Sequence, residues 1–68
     1  MVSVNIDVVT NQPMAWIDPV FDGGSPIRRV DSWEHLNSVA LSNNFEPNNI
    51  KIIPEIRIEL EKRWGSQI

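Results

Sequence analysis

Residues 2–10 alternate strictly: Val2, Val4, Ile6 and Val8 fall on one side of an extended chain and Ser3, Asn5 and Asp7 on the other. The segment is also rich in β-branched residues, which together with the alternation predicts a half-buried strand over 2–10. Asn11-Gln12-Pro13 ends it, because proline has no ladder donor and biases its predecessor away from helix. From Met14 to Val30 the apolar residues Met14, Trp16, Ile17, Val20, Phe21 and Ile27 are interrupted by Pro19, Pro26 and Asp22-Gly23-Gly24-Ser25. That mixture predicts a loop packed down on the domain. A short strand around 15–17 pairs with the first, and a second one at 27–30 completes a small meander.

Asp31-Ser32-Trp33-Glu34 has the form of a capping box, with the Asp31 side chain available to free helix donors and Glu34 placed to reach back. Trp33, Leu36, Val39 and Ala40 then recur at helical spacing, while Glu34, His35, Ser38 and Ser42 lie off that stripe. A helix from about 32 to 41 or 43 follows, with Asn43-Asn44 as its exit. Phe45 to Asn49 is turn chemistry, and Ile50-Lys51-Ile52-Ile53 is either a short strand or the lead-in to the last element.

Residues 54–64 carry two competing patterns. As a strand, Ile56, Ile58 and Leu60 alternate with Arg57, Glu59 and Glu61. As a helix, Pro54 stands in the first turn, Ile53, Ile56, Leu60 and Trp64 share a face, acids precede bases, and Gly65 is the stop. Start, stop and charge order agree with the helix, and Glu59 and Arg63 stand in the favourable i,i+4 order. The helix reading strands Ile58 on the outer side, where an apolar residue is a candidate contact for another chain. The fold class expected is a single small α+β domain over 1–68: an amino-terminal antiparallel strand or hairpin packed against a capped central helix and a carboxy-terminal helix.

Size changes this picture. A chain of 68 residues buries only ~60 % of the surface its unfolded form exposes, and domains this small commonly need a staple. There is no cysteine and His35 is the only histidine, so disulfides and zinc cages built from Cys and His are excluded. Association with another chain, as a homodimer or on a larger protein, is what elimination leaves. The opening residues have neither a basic leader nor a 7–15-residue apolar core of a signal peptide, and no run approaches ~20 apolar residues. The expectation is a cytoplasmic protein, away from membranes.

The formal net charge is −3, with Asp7, Asp18 and Asp22 unopposed over 1–27 and six acids matched by six bases over 28–68. A phosphate-binding protein ordinarily shows the opposite balance. The alternative of a nucleic-acid-binding regulator therefore rests on Arg28, Arg29, Lys51, Arg57, Lys62 and Arg63 gathering on one surface, with Trp64 as a stacking platform.

The chemistry available is thin. The Asp-Gly-Gly cluster lacks the Lys-Ser or Lys-Thr of a phosphate loop and reads as a turn. Asp18 and Asp22 could pair for acid/base work or a divalent ion with Asp7, Glu34 or His35, but each sits where aspartate serves turn hydrogen bonds, and the spacing is not that of a calcium loop. His35 reads as a solvated residue on the outer helix face. No catalytic residue, cofactor or metal ligand is assigned, and an enzyme is not expected. Tryptophan is over-represented among interface anchors. Trp33 belongs to the core stripe, whereas Trp16, Phe21, Ile58 and Trp64 are the candidate contacts of a noncatalytic protein-binding regulator, inhibitor or accessory subunit.

Overall fold

The computed structural model describes residues 1–66. Four strands, β1 (Val2–Ile6), β2 (Pro13–Ile17), β3 (Ile27–Arg29) and β4 (Ile50–Lys51), form one mixed sheet in the order β3-β2-β1-β4. The first three make the antiparallel meander; β4 pairs in parallel with β1, Val2 opposite Ile50 and Ser3 opposite Lys51. Two helices, α1 (Trp33–Ser42) and α2 (Pro54–Trp64), complete an α+β fold, with a 3₁₀ turn at Pro47–Asn49 between α1 and β4.

The register explains the core. Val2 faces Ile17 and Val4 faces Ala15 across the β1–β2 ladder, so these four side chains share one side of the sheet. That side packs on Val30, Trp33, Leu36, Val39 and Ala40 from the α1 region and on Leu60 of α2, with Ile6, Val20, Phe45, Ile50, Ile52, Ile56 and Trp64 around the rim. Residues 54–64 are helical, as the start, stop and charge order require: Pro54 is at the first turn, Lys62 and Arg63 are in the last, and Gly65 leaves at φ 86°, donating its N–H to the Glu61 carbonyl at 2.8 Å.

Two sequence expectations are corrected. Strand β1 ends at Ile6 rather than at residue 10. The Asp7 carboxylate accepts the Val9 N–H at 2.9 Å, the Asn11 N–H donates to the Asp7 carbonyl at 2.7 Å, and Asn11 adopts a left-handed φ of 59°. These local bonds capture the chain in a turn. Val8 consequently stands at the hairpin tip, 95 % exposed, instead of on the buried face, with Val9 beside it 86 % exposed. The cap of α1 is Ser32, whose hydroxyl accepts the His35 N–H at 3.0 Å, and not Asp31. Asp31 instead meets the His35 ring, Nδ1 to Oδ1 3.1 Å. The helix exit falls at Asn43-Asn44 as expected: Asn43 is the cap, its side chain turned inward and wholly buried, and Asn44 takes the left-handed φ of 66°.

Asn43 ties the long loop to α1. Its side-chain oxygen accepts the N–H groups of Phe21 at 2.8 Å and Asp22 at 3.2 Å, and its amide nitrogen donates to the Val39 carbonyl at 3.0 Å and toward Asp22 Oδ2 at 3.4 Å. The loop of residues 18–26 is thereby fixed against the end of α1, as the sequence's packed-loop reading expects.

Candidate binding surface

Because both helices pack on the Val2, Val4, Ala15 and Ile17 side, alternation turns Ser3, Asn5, Met14, Trp16, Ile27, Arg29 and Lys51 to the other. Among the described residues neither helix reaches that face. The pairing places these residues in two rows. One runs Lys51, Ser3, Trp16, Ile27 across all four strands; the other runs Asn5, Met14, Arg29. Trp16 is 51 % and Ile27 42 % exposed, an aromatic and an aliphatic side chain directly opposed on neighbouring strands. A tryptophan left half in water at the middle of a sheet forgoes the burial that such a ring ordinarily contributes.

The face has a polar border. Arg29 and Lys51 stand on either side of Trp16, and Asp7 and Asp18 follow at the strand ends. The Asp7 carboxyl is held below its ordinary range chiefly by the Val9 N–H, with the Arg29 charge adding to the effect. Asp18 continues the ladder by donating its N–H to the Met1 carbonyl at 2.9 Å.

The other expected contacts lie elsewhere. Phe21 is 58 % exposed, tilted against Phe45 at 6.3 Å between ring centroids, beyond the carboxyl end of α1. Ile58 is 55 % exposed on the outer side of α2, as the helix reading requires. Trp64 is half-buried at the opposite end of α1: its ring meets Trp33 edge-on at 5.0 Å, and Trp33 Nε1 donates to the Gly65 carbonyl at 2.9 Å. A shallow groove of about 390 Å³ lies over this pair, lined by Ser32, Trp33, Glu34, Trp64 and Ser66. Trp16, Phe21, Ile58 and Trp64 therefore do not form one patch.

The six basic residues are also dispersed. Arg28 sits across the Asp22-Gly23-Gly24 turn, its Nη1 donating to Asp22 Oδ2 at 2.8 Å and its Nε to the Ser25 carbonyl at 2.8 Å. This contact holds the Asp22 carboxyl far below the usual carboxylate range, helped by the Gly24 N–H at 2.9 Å. The glycine cluster is thus a turn closed on an internal carboxylate; Gly23 supplies its left-handed φ of 80°, and a Cβ on Gly24 would strike the Arg28 guanidinium. Arg63 donates to the Asn11 carbonyl at 2.6 Å and to its side-chain oxygen at 3.0 Å, and pairs with Glu59 at 3.0 Å, clamping the hairpin turn to α2. Arg57 is half-buried in α2 and Lys62 is exposed. Only Arg29 and Lys51 share a face with Trp16.

Among the described residues no three His, Cys, Asp or Glu side chains are grouped to hold a metal ion, and no helix is long and apolar enough to cross a membrane. His35 is exposed beside Asp31, and Asp18 and Asp22 take separate partners. Sequence reasoning found Trp16 but not the company it keeps. The signal was present in the alternation of Met14 with Trp16 and of Ile27 with Arg29, but it needs the register to join the strands. Comparison of this chain with protein-family models, with curated proteins and with solved structures finds no match.

Proposed function

We propose that this chain is a noncatalytic interaction protein, a small regulator, inhibitor or accessory subunit, that acts by laying the open face of its sheet on another protein chain. The observation that carries the reading is Trp16, half exposed at the centre of an uncovered sheet face, with Met14 and Ile27 beside it. A domain of this size has little apolar surface to spare for solvent, and a ring flanked by aliphatic groups and rimmed by charges has the make-up of an interface hot spot. The dispersal of acids and the internal use of Asp22 support a binding role over a catalytic one.

Nucleic-acid binding is the second reading. One observation favours it: Arg29 and Lys51 flank Trp16 on a sheet, a base-stacking arrangement in outline. Against it, Arg28 and Arg63 are held by Asp22 and Glu59, and the net charge is −3.

The test is photo-crosslinking of the full chain with Trp16 replaced by p-benzoylphenylalanine, illuminated in extract of its own cells. Adducts with discrete proteins, absent when the label is moved to exposed Glu46, are the expected result. Nucleic-acid adducts would install the second reading, and no position-specific adduct would remove both.

A further inference from the structure

We infer that the open sheet face is its own complement, and that the chain it accepts is a second copy set face to face with it about a two-fold axis. The inference rests on the reading just given and names the partner.

Alternation along the strands puts four charged side chains on this face: Arg29 on β3, Asp18 at the end of β2, Asp7 at the end of β1 and Lys51 on β4. Two bases and two acids leave the face neutral, although the whole chain carries −3. The register fixes their spacing. Arg29 is opposite Met14, so Asp18 lies one strand over and four residues along from it. Lys51 is opposite Ser3, so it lies one strand over and four residues along from Asp7, in the same direction. The two steps are equal, about 14 Å at the spacings of a sheet, and opposite in sign: one runs from base to acid, the other from acid to base.

A two-fold axis lying in the face at right angles to both steps therefore exchanges base and acid in each. Arg29 meets the partner's Asp18 and Lys51 meets the partner's Asp7, and each contact is made twice. The axes for the two exchanges are offset by about 3 Å, a difference that the long Arg29 and Lys51 side chains span. Asp7 also accepts the Val9 N–H, and an ionised carboxylate takes several donors at once. The Met1 ammonium, which donates to the Asp18 carbonyl, lies at the outer end of the face, and the axis brings it toward the partner's Gln12, a neutral residue.

The same axis passes beside Ile27 and between Trp16 and Met14, so it lays Trp16 against the partner's Met14 and covers the apolar centre of both faces. Each step leans about 20° from the strand direction, so the strands of the two sheets cross at about −40° in the hand this face presents, close to the −30° of aligned sheets. Charge order and sheet geometry thus select one arrangement. A surface of single-sign charge would meet two like charges here, whereas the second copy meets none. The contact uses the same face on both copies, so assembly closes at the dimer.

The test is sedimentation velocity on the full chain over a range of concentrations, at low and high salt, with surface variants. Wild-type protein is expected to pass from monomer to dimer as concentration rises and to grow no further, with the midpoint moved to higher concentration by salt. Trp16→Glu is monomeric where the wild type is paired. Arg29→Glu alone sets an acid against the partner's Asp18, and Asp18→Lys alone sets a base against the partner's Arg29, so each of these is monomeric there too. Mixed in equal amounts the two form a heterodimer, because the new acid of one faces the new base of the other and the native Arg29–Asp18 contact forms once. Circular dichroism confirms that each variant is folded; Trp16, Asp18 and Arg29 are all exposed. Wild-type protein that stays monomeric at every concentration overturns the inference, as does assembly beyond the dimer, a dimer that survives Trp16→Glu, or a mixture that remains monomeric. A monomeric wild-type chain that still gives a protein adduct from position 16 discards only the second copy and leaves the docking face standing.

Discussion

Asn43→Ala is the substitution whose cost the fold dictates most directly. The side chain is fully buried, and it is a polar group at the junction of α1 and the long loop. Alanine removes an acceptor shared by the Phe21 and Asp22 N–H groups, at 2.8 and 3.2 Å, and a donor to the Val39 carbonyl at 3.0 Å. Each such bond contributes about 1 kcal/mol net, and main-chain groups left partly buried without a partner cost about 1–3 kcal/mol. The two N–H groups are only part-buried and recover some of this from water, so the loss falls at about 2–4 kcal/mol. A chain of this length has a total stability of ~3–10 kcal/mol, so this single side chain carries a large share. Urea unfolding followed by tryptophan fluorescence reads the effect: with a slope near ~1 kcal/mol/M the midpoint falls by about 2–4 M or the variant is unfolded in water. Asn43→Asp is the companion. It keeps the acceptor for Phe21 and Asp22 but places a second carboxylate beside Asp22 Oδ2 and forfeits the bond to Val39, so it is destabilised as well, and less so at acid pH. An Asn43→Ala variant within ~0.5 kcal/mol of wild type would refute the claim that this amide holds the loop.

The Asp22–Arg28 contact sets an acid limb. Arg28 and the Gly24 N–H stabilise the Asp22 carboxylate and hold it well below its ordinary value of 3.8, so its contribution is complete above about pH 3.8 and is lost as pH falls through the depressed value. Arg28→Ala flattens stability against pH in that window, measured by thermal melts between neutral and acid pH, and a limb of unchanged steepness would contradict the assignment. Arg63→Ala removes both bonds to Asn11 and frees the hairpin tip. Stability falls by about 1 kcal/mol, and amide exchange quickens at Asn11 and in the adjoining turn while the Val4 and Ala15 amides keep their protection; uniform quickening across the sheet would count against a local clamp.

The parts of the fold legible in the sequence are those where several signals agree. Strand β1 was visible in its alternation, and α2 in a proline start, a glycine stop and an ordered charge gradient that outweighed its competing period of two. The same alternation misplaced Val8. Periodicity says nothing about the aspartate and asparagine at positions 7 and 11, whose local hydrogen bonds end the strand. Strand β4 is two residues long and parallel, too short to show a period, and its pairing with β1 depends on where α1 delivers the chain. Asn43 was read as a helix exit because asparagine is common there; that its side chain turns inward depends on a loop arriving from more than twenty residues away. Trp16 stood out by type alone, but the face it shares with Ile27, Arg29 and Lys51 emerges only from the register of four strands. The exposure of Ile58 was visible too, because the helix reading strands it on the outer side of α2.

The most direct test of the account is fluorine NMR of the chain labelled with 5-fluorotryptophan, whose three resonances are assigned by single Trp→Phe substitutions. At low concentration the Trp16 signal should show the larger solvent isotope shift of an exposed ring, and Trp33 the smallest. In extract of its own cells the Trp16 signal should broaden and move while that isotope shift diminishes, and the Trp33 signal should keep its position. A Trp16 signal that keeps its position and its full solvent response at every concentration and in extract of its own cells would contradict the claim that another protein chain covers this face.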